Sequence, residues 1–205
     1  MMQKGKSLKD LFEENYTAVE VPAQNKKGYK IEYLYSGPWY IWDMPKDKLK
    51  REKWMELGLS LTGIFLYLFT GAANTPVNTS KLGVILAVLA LCIHVLEIFA
   101  LIKFICAGYR TTKMTYQEVN RILGAATGLR GILLCGVAFV AFVYAVTGGM
   151  DMLSLLVTAG YLGCGSIAFM IYRRYNKITF YTEKNRSLEG KQIIDKTVKG
   201  KDKTN

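Results

Sequence analysis

Residues 82–108 read LGVILAVLALCIHVLEIFALIKFICAG. A helix needs about 20 residues, at about 1.5 Å each, to cross the hydrocarbon core of a bilayer, and this run has that length with very few charges. Inside it lie His94 and Glu97, three positions apart and so on one helix face. Ionisable groups at such depth are costly and usually serve a function.

Outward from this run, three more apolar stretches complete the pattern, giving spans at 54–73, 82–107, 122–146 and 152–172. The sequence therefore predicts an all-α integral membrane protein. Its core is a four-helix transmembrane bundle over 54–172, with a small cytoplasmic β-hairpin or sheet and a disordered basic C-terminal tail. The N-terminal segment, 1–53, is polar and charged. Ser7 is placed to cap a short helix carrying Leu8, Leu11, Phe12 and Tyr16 on one side, and 25–28 reads as a loop. Tyr29, Ile31, Tyr33 and Tyr35 alternate with Lys30, Glu32 and Leu34, which is strand periodicity. Ser36, Gly37 and Pro38 signal a turn into the aromatic stretch 39–42, so the sequence predicts a hairpin over 29–42. Because two strands alone are marginal in water, a third is sought, and 177–182 (KITFYT) supplies it. The C-terminal segment, 173–205, is basic, and from 183 onward it lacks a repeating apolar face, which predicts disorder.

The chain of 205 residues has a formal charge of +11, with 27 Lys and Arg against 16 Asp and Glu. In a soluble protein this balance suggests nucleic acid, but no nucleic-acid-binding motif is present and none is expected as a partner. Basic residues instead collect on one side of the apolar runs. Residues 1–53 hold 11, the loop 108–121 holds 3 and residues 173–205 hold 10, whereas the two opposite loops hold only Lys81. By the positive-inside rule both termini face the cytoplasm, against anionic lipid, and the expected location is the cell (plasma) membrane. No secretory signal is expected, since about fifty residues precede the first apolar run, far more than a cleavable signal places there. Cys92, Cys106, Cys135 and Cys164 fall in or beside spans without a Cys-x-x-Cys pair and read as small apolar filler.

Depth links the buried charges. Measured from Lys103, which can snorkel to the cytoplasmic headgroups, Glu97 lies about 9 Å deeper and His94 about 14 Å deeper. Arg130 in the next span lies about 10 Å above the inner boundary. Glu97 and Arg130 are thus expected at matching depth on adjacent antiparallel helices. One reading is an ion pair that fixes packing. The other is a proton- or ion-handling site in which His94 and Glu97 titrate and Arg130 tunes them. A third version has Arg130 snorkelling from a span that begins at Gly131.

Polar and small residues form stripes: Glu56, Ser60, Gly63 and Tyr67 in span 1, Ala87, Ala90, His94 and Glu97 in span 2, and Ser154, Thr158, Tyr161 and Gly165 in span 4. Gly124, Gly128 and Gly131 form a helix-packing seam in span 3. Glu97 reads as the only acidic residue deep in a span, so a di-metal site is not expected. No nucleophile motif, phosphate-binding loop or metalloprotease motif occurs, and no catalytic residue, cofactor or metal is predicted. The sequence favours a non-enzymatic accessory or interaction subunit of a membrane complex, docking on another membrane protein or a second copy of itself. The alternative is a small proton- or ion-coupled transporter or channel using Glu97 and His94.

Overall fold

A computed structural model describes Phe12, residues 14–24 and residues 28–185. The expected N-terminal cap at Ser7 with Leu8 and Leu11, the loop at 25–27 and the tail beyond 185 lie outside the described residues.

The elements run in the order β1 (Tyr16–Pro22), β2 (Tyr29–Tyr35), β3 (Trp39–Trp42), α1 (Lys46–Gly71), α2 (Pro76–Thr79), α3 (Lys81–Cys106), β4 (Arg110–Thr111), α4 (Lys113–Thr147), α5 (Met152–Tyr175) and β5 (Phe180–Glu183). They fall into two compact units, one holding residues up to Ile41 with Arg110–Met114 and Tyr181 onward, the other holding Trp42–Tyr109 and Thr115–Phe180.

In the first unit the strand at 29–35 forms, but its partner is not the one expected. β2 pairs antiparallel with β1, in the register Tyr16↔Tyr35 to Pro22↔Tyr29. β3 instead pairs with β4, Tyr40↔Thr111 and Ile41↔Arg110, in a sheet ordered β4-β3-β5. The hairpin over 29–42 is therefore replaced by two separate sheets. Ser36-Gly37-Pro38 does not fold the chain back on itself. Pro38 has no N–H to offer a ladder, while the N–H groups of Ser36 and Gly37 go to the carbonyl of Asn15. A Cβ on Gly37 would fall 2.6 Å from Asn15 Oδ1, so a side chain there must displace those of Asn15 and Tyr35. Tyr16, expected on a helix, opens β1. The third strand exists, at 180–183 rather than 177–182, because Lys177 and Ile178 bond back to Arg174 and Tyr175 and finish the helix first. Tyr35 ties this unit together. Its hydroxyl donates to Pro38 O at 2.7 Å and accepts from Lys113 N at 2.9 Å. Burial pushes its phenol above the usual tyrosine range, partly offset by the Lys113 bond.

The second unit contains four helices, each long and apolar enough to cross a bilayer: α1, α3, α4 and α5. α1 packs on α3 and on α5. α4 closes the ring through Gly136 against Leu86 of α3 and Gly131 against Phe169 of α5. One core, including Ala90, Leu134, Val137, Ala141, Val157 and Tyr161, fills the half of the bundle near α2. The other gathers Trp42, Leu49, Leu101, Phe104, Leu123 and Tyr175 at the opposite half.

Three of the four helices follow the expected spans, with α1 extended to Lys46. α4 does not. It begins at Lys113, so most of the expected loop 108–121 is helix. Tyr116, Val119 and Leu123, at three- and four-residue spacing, pack on the second core and hold this extension. The helix ends are closed by their own side chains. Ser80 and Asp151 accept from Gly83 N and Ser154 N as N-caps. Asn78 donates to the carbonyls of Thr70 and Ala73 at the end of α1, and accepts from Tyr161 Oη at 2.7 Å. At the other end, Lys53 donates to Ala107 O, the last carbonyl of α3, where the helix dipole favours a cation.

Candidate functional site

The inward face of α1 carries Glu56, Ser60 and Gly63, spaced so that each lies one turn beyond the last. That face meets His94 and Glu97 of α3 and Arg130 of α4. All four polar residues around the contact, Ser60, His94, Glu97 and Arg130, are at most 3% exposed. Arg130 is the midpoint of α4, so it does not reach out from a span beginning at Gly131.

Ser60 Oγ donates to Glu97 Oε1 at 2.9 Å and lies 3.0 Å from His94 Nε2. With its single proton directed to Glu97, Ser60 meets the imidazole as an acceptor, which puts the ring proton on Nε2. His94 Nε2 is itself 4.0 Å from Glu97 Oε1, too far for a direct bond. The hydroxyl is therefore the bridge between imidazole and carboxyl. Arg130 Nη1 approaches Glu97 Oε1 to 3.1 Å. Distance alone makes this an ion pair. Among the described residues none of the guanidinium nitrogens has an aligned hydrogen-bond acceptor, and Glu97 Oε2 has no donor. It is not the two-pronged fork that normally holds a buried arginine on a carboxylate. A Cβ built on Gly63 would stand 3.8 Å from Arg130 Nη2 and 3.9 Å from His94 Cε1, so this glycine leaves room for the two heads beside α1.

Gly124, Gly128 and Gly131 are not part of this cluster. They face α5, with Gly128 towards the ring of Tyr172, and a Cβ built on Gly131 would stand 3.0 Å from the ring of Phe169. Gly165 returns the contact against Cys135 and the carbonyl of Gly131.

Two members of the span 1 stripe, Ser60 and Glu56, extend the site beyond His94, Glu97 and Arg130. Ser60 was visible only as one member of a stripe. Glu56 is a second acidic residue buried in the bundle, fully enclosed, with neither carboxylate oxygen partnered. Glu97 is thus not alone. The signal in the sequence was the shared place of Ser60 and Glu56, with Gly63 and Tyr67, on one face of span 1.

Around the same half of the bundle lies an aromatic box. Trp42 meets Phe104 edge-on at 5.4 Å, and Phe104 meets Tyr175 at 5.6 Å. Lys53 Nζ stands 5.0 Å from the Phe104 centroid, a cation–π distance. Trp42 Nε1 and Tyr175 Oη are buried there without hydrogen-bond partners among the described residues. Among the described residues no group of three His, Cys, Asp or Glu is placed to hold a metal, and all four cysteines are free thiols.

Comparison with protein-family models, with curated proteins and with solved structures finds no match. A hydroxyl held between an imidazole N–H and a carboxyl can hand a proton to one while taking one from the other.

Proposed function

We propose that the chain is an integral membrane protein of four spans with both termini in the cytoplasm, located in the plasma membrane, and that its polar core handles protons or small ions as part of a small transporter or channel. Membrane residence is supported by the outward faces of the helices, where Phe65, Phe69 and Phe139 are each more than two-thirds exposed. A soluble protein rarely leaves so large an apolar belt uncovered. Orientation is supported by the basic residues, of which 24 of 27 lie at the N-terminal segment, the loop 108–121 and the C-terminal segment. Anionic lipid on that side is the complementary partner.

One observation carries the choice of ion handling: the Ser60 bridge between His94 and Glu97, set beside buried polar atoms of Arg130, Glu97 and Glu56 that have no hydrogen-bond partner among the described residues. A purely structural ion pair stabilises a core only when its hydrogen bonds are satisfied. The accessory-subunit reading stands second. It is favoured by the exposed row Tyr29, Ile31 and Tyr33 on β2, a surface fit for another membrane protein or a second copy.

Two experiments test this. A cysteine at the exposed Asn74 should react with an impermeant thiol reagent from outside intact cells, while one at Lys201 should not. The reverse pattern refutes the orientation. Purified protein in vesicles containing a pH-sensitive dye should dissipate a pH gradient, and Glu97→Gln should abolish this with the helical content unchanged. No proton or cation flux from the wild type, together with loss of a co-purifying subunit on Glu97→Gln, would favour the accessory role instead.

A further inference from the structure

Glu56 is the buried titratable group that the bridge does not use. It is 0% exposed, and among the described residues neither carboxylate oxygen has a hydrogen-bond donor or a cation within ion-pair distance. Burying an unpaired carboxyl without a hydrogen bond is expensive, and such groups in native proteins call for an explanation. Its position supplies one. Glu52, Glu56 and Ser60 lie at four-residue intervals, so they stack along one face of α1 with about 6 Å of rise between neighbours. Exposure falls along the row. The Glu52 side chain is 15% exposed and paired with Arg174 at the end of the bundle, whereas Glu56 and Ser60 are sealed. Ser60 in turn bonds to Glu97. The charged and titratable groups acting around Glu56 are Glu52 on its own helix, Glu97 of α3, and Arg174 and Tyr175 of α5. Arg174 is engaged by Glu52. Tyr175 Oη has no partner of its own.

We propose that Glu56 is a proton-transfer residue connecting the Glu97 centre to the end of the bundle where Glu52 and Arg174 pair. This rests on the reading of the core as a proton-handling site. The step is balanced. Glu56 in its acid form gives its proton to the Glu97 carboxylate, becoming a carboxylate while Glu97 becomes the acid. Glu56 then regains a proton from water at the Glu52 end. Neighbouring positions along this row are separated by about one helical turn, a span that a side-chain swing or one bridging water covers. The open Glu97 Oε2 is the acceptor left available by the Ser60 and Arg130 contacts.

The test reads protonation directly rather than transport. Infrared difference spectra of the full-length protein in lipid, recorded across a pH step and after transfer to deuterated water, resolve carboxyl bands that Glu56→Gln and Glu97→Gln assign. Two bands are expected in the wild type. Glu56→Gln should remove one and slow the proton exchange of the Glu97 band at least tenfold. Glu56→Asp, which keeps the acid but draws it back by one methylene, should slow it less, and this variant decides the matter should Glu56→Gln not fold. Exchange of the Glu97 band at the wild-type rate in both variants overturns the relay. A Glu97 band that never responds to pH overturns both the relay and the proton-handling core. A responsive Glu97 that ignores Glu56 overturns the relay alone.

Discussion

Arg130→Leu removes the positive partner of Glu97 without leaving a large void, and the consequence can be worked from the contact. At 3.1 Å between Arg130 Nη1 and Glu97 Oε1, an effective dielectric constant of about 20 gives an attraction of about 5 kcal/mol. Because no guanidinium N–H is aligned on the carboxylate, the extra stabilisation of a charge-assisted hydrogen bond is absent, and this figure is a ceiling. Either single change, Arg130→Leu or Glu97→Leu, strands a charge in a site at most 1% exposed. Each should cost about 3–5 kcal/mol, whereas the double change to apolar residues should cost far less. The expected coupling energy is about 3 kcal/mol. Reversible unfolding in mixed micelles of mild and denaturing detergent, on all four members of the cycle, measures it. If the single effects add to within about 0.5 kcal/mol, the residues are uncoupled and the ion-pair reasoning is refuted.

Gly83 sits where α3 leaves its cap, and a Cβ there would lie 2.2 Å from Val77 O. Gly83→Ala should therefore cost about 1–3 kcal/mol, as overpacking does, and a thermal shift under about one degree would contradict the contact. Asn78→Ala deletes two donors to the end of α1 and the acceptor for Tyr161. The expected loss is about 1–3 kcal/mol, from the buried groups left unpaired, and a Tyr161→Phe change in the same background should add little. For Tyr35, whose phenol is raised by burial, stability is fully present below the ordinary tyrosine range. It declines as pH climbs through that range, because the unfolded chain releases its proton first. Tyr35→Phe should flatten this alkaline decline in unfolding curves, and an unchanged decline would show that another group causes it.

Length and apolar content made the four long helices legible, because a helix that must satisfy every backbone group within itself writes a long uninterrupted run. The facing of His94, Glu97 and Arg130 followed from depth and connectivity. The strand pairing was not legible. Alternation at 29–35 identifies a strand but not which neighbour it bonds, and β1, YTAVEVP, was hidden by aromatic residues that also suit a helix face. The first turns of α4 were missed because Arg110, Lys113 and Arg121 dominated the reading of that segment, while Tyr116 and Val119 hold it against the bundle. Glu56 was legible as a member of the span 1 stripe but not as a sealed acid, because position near a span's edge says little about how deeply a side chain is enclosed. The packing of α1 against α3 and α5 encloses it.

The crossing of α1 and α5 near α2 has a mechanical meaning. A Cβ on Gly160 would fall 2.3 Å from Thr70 Oγ1, so the backbone of α5 rests directly on the Thr70 side chain of α1 there. Asn78 and Tyr161 latch the same end. Close-packed contacts of this kind resist sliding but permit rotation. Any tilt of α1 against α5 must then turn about Thr70 and Gly160 as a fulcrum. The greatest displacement falls at the far end of the lever, where the half-exposed pair of Glu52 and Arg174 is the contact that parts.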